Sequence, residues 1–185
     1  MIYLNSLQIS RIFLNIQVMM CGVKIDFRLY PQWLINIKSG ICPMVVQSHH
    51  ASTARFFALR LYPGQEVLSS LQQFITQNQL QAAFIAGCVG SLTDVALRFA
   101  GQPGTTLLHG KFEVVSLIGT LEQQGEHLHL SVSDETGKMT GGHLMPGCTV
   151  RTTLELVLGE LSDLSFNRQQ CSLSGYDELV ISQRQ

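Results

Sequence analysis

Three observations predict an α+β domain, with a largely antiparallel β-sheet flanked by helices. Apolar runs are mostly short and are punctuated by glycine, which occurs 16 times in 185 residues; this is a pattern of strands joined by turns. One segment carries a clear helical period, while several alternate apolar and polar residues as half-buried strands do. Connections of hairpin length favour antiparallel neighbours. Apolar residues make up 45% and charged residues 14% of the chain, which suits one folded domain with a sizeable core rather than a disordered chain.

The elements follow in order. ARFFALRLY (54–62) is a strand that Pro63-Gly64 ends. Val67, Leu68, Leu71, Phe74 and Ile75 recur on one face of a helix over residues 65–78. AAFIAGCVGSLTDVALRFA (82–100) predicts two short strands around Gly90-Ser91, and TTLLHG (105–110) and KFEVVSLIGTLEQ (111–123) predict strands meeting near Gly110. GEHLHLSVSDETGKMTGGH (125–143) predicts a hairpin. In TVRTTLELVLGEL (149–161), Val150, Thr152, Leu154, Leu156 and Leu158 share one face of a strand. YDELVIS (176–182) predicts a final strand.

Residues 1–43 have a different texture, rich in Ile, Asn, Met and Leu. They are expected to be a non-native or disordered extension, with the biological start at Met44 and a single domain over 44–185. No apolar run there approaches the roughly 20 residues of a membrane span. Arg11, the first charge, sits mid-segment, unlike the charge that opens a secretory signal.

Arg11, Lys24, Arg28 and Lys38 against Asp26 give residues 1–43 a net charge of +3, which leaves −4 for residues 44–185 out of the −1 of the whole chain. Affinity for duplex DNA comes mainly from neutralising phosphates, so an acidic body disfavours autonomous DNA binding. Cys21, Cys42, Cys88, Cys148 and Cys171 are odd in number and scattered. They form neither a disulfide framework nor a zinc-thiolate pattern, and a reducing cytoplasm fits them.

Three of the six histidines fall in HLHLSVSDETGKMTGGH (127–143). Side chains alternate along a strand, so His127 and His129 share a face, roughly 7 Å apart. Glu135-Thr136-Gly137 suits a three-residue loop with glycine at its left-handed position. That loop pairs Asp134 with Lys138, and counting outward sets His143 opposite His129. Opposed residues face the same side, so the three imidazoles could share one ion. A slip of one residue at Gly141-Gly142 would send His143 to the other face. Three neutral imidazoles and a water suit tetrahedral zinc, with nickel, copper or iron as alternatives. A polar strand face that happens to carry histidine is the competing reading, and the residues alone leave both open.

Other residues point less sharply. Glu113 lies in the apolar run FEVVSL and suggests an interface or structural role ahead of catalysis. Asp94 and Arg98 are expected to share a strand face and form an ion pair, and His109 to be structural. Ser91 and Ser116 lack a partner base, and the chain has no Walker-type phosphate loop.

The ordered set RLYPGQEVLSSLQQF, AAFIAGCVGSLTDVALRF, LHGKFEVVSLIGTL, HLHLSVSDETGKMTGGHLMPGCTV, TLELVL and GYDELVI resembles the Plants and Prokaryotes Conserved (PPC) domain family over residues 54–182. GKFEVVSL resembles the family's core motif, and HLHLS…GGH the bacterial and archaeal form of its histidine motif. The resemblance implies a PPC-domain-like fold, a homotrimer, and a metal site at His127, His129 and His143. It also implies partner contacts around Phe112 and Glu113. Plant members add basic A·T hooks that bind DNA, and prokaryotic members are often labelled DNA-binding by analogy. This chain has no Arg-Gly-Arg-Pro hook, and fold likeness does not transfer function.

Three functions follow as expectations. One is a trimeric, metal-binding regulatory protein, associated with DNA through a partner. The alternative is a zinc-dependent enzyme acting on a small molecule, with Glu113 or Glu126 as base if the fold brings either close. Direct duplex binding is the third.

Overall fold

The computed structural model describes Met19–Met20, Val23–Lys24 and residues 50–184. The chain divides into two compact units, Met1–Gln47 and Ser48–Gln185. In the first, β1 (Met19–Met20) pairs antiparallel with β2 (Val23–Lys24). The rest of the expected extension and the start at Met44 lie outside the described residues.

The second unit runs β3 (Ala54–Leu61), α1 (Val67–Gln77), β4 (Ala83–Arg98), β5 (Thr106–Glu122), β6 (Gly125–Ser133), β7 (Met139–Leu144), β8 (Thr149–Leu161), β9 (Leu164–Gln170) and β10 (Asp177–Gln183). Six strands form one antiparallel sheet in the order β3-β8-β4-β5-β6-β7. The last strand also returns to β4, pairing Leu97 with Leu144 and Arg98 with His143. One edge of β4 therefore serves β8 from Ala83 to Asp94 and β7 at its final two residues. This closes β4, β5, β6 and β7 on themselves.

Among the described residues α1 is the single helix, fewer than the flanking helices expected. Its carboxylate cap is Glu66, which accepts from the backbone N–H of Ser69 at 2.6 Å and of Gly147 at 3.1 Å. Val67, Leu68, Leu71 and Ile75 are buried and join Leu92, Leu121, Leu128, Leu154 and Leu158 in the core. Each side chain so buried contributes about 1.5–3 kcal/mol. No described helix is long and apolar enough to cross a membrane.

The expected breaks at Gly90 and Gly110 do not occur. Strands β4 and β5 run on through them for 16 and 17 residues, and β4 absorbs the irregularity as register shifts instead. A shift between Gly90 and Leu92 sets two steps of β4 against four steps of β8, from Leu154 to Val150. It leaves Thr152 exposed rather than on the buried face with its neighbours.

The sequence reading has no counterpart to β9. It pairs with β10 as a separate two-stranded sheet. Leu164 and Phe166 bury against Ala82, and the Phe166 N–H donates to the Gln81 carbonyl at 2.9 Å. Fully buried Glu160 ties this region together, bonding Arg55, Arg184 and the Gln81 N–H.

Candidate metal centre

The hairpin loop forms as its residues require. The Asp134 N–H donates to the Lys138 carbonyl at 3.0 Å, and Gly137 adopts φ +81°. The Asp134 carboxylate accepts from the Thr136 N–H, the Thr136 hydroxyl and the Lys138 N–H at 2.8, 2.6 and 3.1 Å. With the loop fixed, β6 and β7 pair without a slip, and His143 lies directly opposite His129. Gly141 and Gly142 carry no bulge.

Glycine is needed at two flanking positions. A Cβ at Gly119, where φ is +136°, would lie 1.9 Å from the His127 carbonyl oxygen. One at Gly142 would lie 2.8 Å from the Arg98 carbonyl oxygen. Glycine at these places lets β5 approach β6 beside His127, and β4 approach β7 beside His143.

The three imidazoles converge. Ring centroids of His127 lie 5.1 Å from those of both His129 and His143, and His129 and His143 are 5.7 Å apart. One nitrogen from each ring lies within 4.8 Å of the others. Zinc bonds of about 2.0–2.1 Å in a tetrahedron place nitrogens roughly 3.3 Å apart. Side-chain rotation alone covers that difference, so the donor set fits a metal. An all-imidazole set favours zinc, copper, nickel or iron over magnesium or calcium.

The electrostatics favour the neutral, ligating state of His127 and His143. Burial lowers the His127 pKa, and neighbouring His129 and Arg168 lower it further. Burial likewise lowers that of His143, followed by Arg98 and His127.

A cavity of about 520 Å³ opens beside His127 and His143. Its walls include Arg98, Glu126, Arg168, Tyr176 and Glu178. Of these carboxylates, Glu178 acts on His127 by its charge, while burial and then the nearby Glu122 raise the pKa of Glu126. Glu113 does not come near. It lies five residues along β5 from Ile118, the partner of His129, roughly 16 Å at the rise of a strand. Glu113 is exposed and opposite Ser133, while Phe112 is buried in the core, 8% exposed.

The expected Asp94–Arg98 pair is corrected. Asp94 bonds His109 at 2.6 Å, because a register shift after Leu92 sets those two residues opposite each other. Arg98 instead lies opposite His143. Arg168 was also missed, since β9 was. It bonds Glu122 and the Thr120 hydroxyl, each at 3.0 Å, and Thr120 is the partner of His127. The alternation of Leu164, Phe166 and Arg168 in LSFNRQQ was the signal available.

The lowered pKa values carry a sign. In metal-free protein His127 and His143 stay neutral below their unfolded value of about 6.5. The unfolded chain then binds more protons, so this part of the stability is lost as pH falls through about 6.5. An NMR titration of the imidazoles should give midpoints for both below 6.5; midpoints above it contradict this electrostatic account.

Known proteins resemble this chain in sequence and fold. A solved hypothetical protein from Salmonella cholerae-suis is 71% identical, with TM-score 0.73 over 75% of this chain and 100% of its own. A solved metal-containing protein from Archaeoglobus fulgidus shares the fold at 20% identity, with TM-score 0.64 over 72% of this chain and 99% of its own. The bifunctional protein GlmU of a Synechococcus strain is 40% identical over 82% of this chain, but the chain spans only 24% of that protein's length. The family model for the Plants and Prokaryotes Conserved domain, abbreviated PCC or PPC, matches residues 48–162, and the chain belongs to that family.

Proposed function

We propose that the protein is a trimeric, zinc-binding regulatory protein of the PPC family that associates with DNA through a partner. The observation that carries the metal reading is the triangle of imidazole nitrogens within 4.8 Å of one another. Zinc is the first choice because three neutral imidazoles leave its fourth position open. Nickel, copper and iron accept the same donors.

Self-association is supported by the outer face of the sheet. Ala58, Val157 and Gly87 stand in one row across β3, β8 and β4, and Phe56, Gly159 and Phe84 in the next. Phe56 is 62% exposed, Val157 41% and, one row further, Val89 60%. Arg60 and Glu155 share the row of Val89 and border this strip; an exposed apolar strip with a polar edge marks an interaction site, and a further copy of the same chain suits it. Glu113, exposed on β5, is a candidate contact at the rim of such an assembly. The acidic body argues that contact with DNA runs through another protein.

A second reading, a zinc-dependent enzyme acting on a small molecule, is favoured by the place of Glu126. A bound metal would supply Lewis-acid polarisation and a more acidic water. Glu126, lining the same cavity as His127 and His143, would hold or accept a proton beside it. Screening of metal-loaded protein on small esters and amides separates the readings. Turnover that falls about 10²-fold or more in Glu126→Gln favours the enzyme, and its absence across the panel favours the regulatory role.

Native mass spectrometry tests the main proposal in one measurement. The expected assembly holds three chains and one metal per chain, and a His127→Ala/His129→Ala variant keeps the mass of three chains without metal. A monomer sinks the assembly, and equal metal in both proteins sinks the site.

A further inference from the structure

We propose that Arg98 makes the histidine cluster a receptor for a small oxyanion, a carboxylate or phosphate group, bridging the metal and the guanidinium. This inference rests on the metal reading above and goes on to the ligand that the site takes.

The argument starts from register. Ile118, His129, His143 and Arg98 occupy one row across β5, β6, β7 and β4. Directly opposed residues share a face, with Cα atoms about 4.5–5.5 Å apart. Arg98 thus stands beside His143 just as His129 does on the other side. A guanidinium carries five donors and no acceptor, so it cannot ligate a cation. Its charge instead opposes one. A cation beside a metal site lowers metal affinity unless an anion lies between them.

The two arginines of the cavity differ in this respect. Arg168 is already compensated by Glu122, 2% exposed, at 3.0 Å. Among the described residues the ion pairs of arginine are those of Arg55, Arg168 and Arg184, and Arg98 is in none of them. Its fork is therefore available to receive a planar carboxylate or a phosphate in two parallel hydrogen bonds.

The cavity sets the size and character of the ligand. It opens on His127 and His143, the edge nearest Arg98, and its volume of about 520 Å³ lies in the range of small-molecule sites. Asp177 and Glu178 also line it, and both are exposed. Those carboxylates repel a polyanion such as a nucleic-acid backbone. They accept hydrogen bonds from hydroxyl or amino groups at the far end of a small ligand. The ligand class is thus a small organic acid or phosphate ester that also carries such donors.

Cobalt(II)-loaded protein provides the test, because its visible absorption reports the coordination sphere without any need for turnover. Inorganic phosphate and acetate are titrated separately at constant ionic strength. At least one should shift the cobalt bands saturably by about 10 mM, and the one that does identifies the group as phosphate or carboxylate. Arg98→Gln should weaken that binding at least about tenfold, while cobalt affinity stays equal or rises. Arg98→Lys keeps the charge but loses the fork, and should bind the anion more weakly than the parent. Unchanged anion affinity in either variant overturns the proposal, as does a cobalt-loaded parent whose bands neither anion shifts. Failure of the parent to take up cobalt is a separate outcome, which overturns the metal reading and this inference with it.

Discussion

The final two residues of β4 pair with β7, and the geometry of the histidine cluster depends on that pairing. Leu97 and Arg98 meet Leu144 and His143, while the other edge of β7 meets β6 at His129. Held on both sides, β7 has one register available, and its histidine faces its two partners on β6. The residue that follows β7 reinforces the closure: the Met145 N–H donates to the Ala96 carbonyl at 3.0 Å. A one-residue slip would turn His143 into the core and Leu144 out to solvent. Leu144 is 2% exposed, so the apolar cost of such a slip enforces the placement of the imidazole.

Charge around the cluster follows from the same closure. Sheet pairing brings Arg98 to His143, and docking of β9 brings Arg168 to Thr120, opposite His127. Burial first, and then the nearby guanidiniums, favour the unprotonated state of His127 and His143, which leaves lone pairs available to a metal. Glu122, buried beneath, offsets one guanidinium, and Glu126 adds a carboxylate whose proton is held more tightly than usual. Imidazole nitrogens and a guanidinium are thus set side by side in one cavity.

Much of this was legible in the sequence, for reasons that differ by residue. The β6–β7 hairpin followed from loop chemistry, since Gly137 and the Asp134 carboxylate specify one turn and a strand has a period of two. That count sets His129 opposite His143, as the pairing of β6 with β7 has it. Helix α1 followed from its apolar spacing. The long strands did not, because Gly90 and Gly110 signal breaks locally while cross-strand pairing carries the chain through them. Arg98 was assigned to Asp94 on local spacing, and a register shift moved Asp94 to His109. Closure of β7 onto β4 is a non-local pairing with no local sequence signal, so the place of Arg98 beside His143 was not readable. The family resemblance supplied the metal reading that spacing alone had left open.

The most direct measurement is anomalous diffraction at the zinc edge from crystals of protein grown with zinc. The account predicts one peak per chain, bonded to nitrogens of His127, His129 and His143 at about 2.0–2.1 Å. No peak within the triangle, or zinc held by other residues, would contradict it.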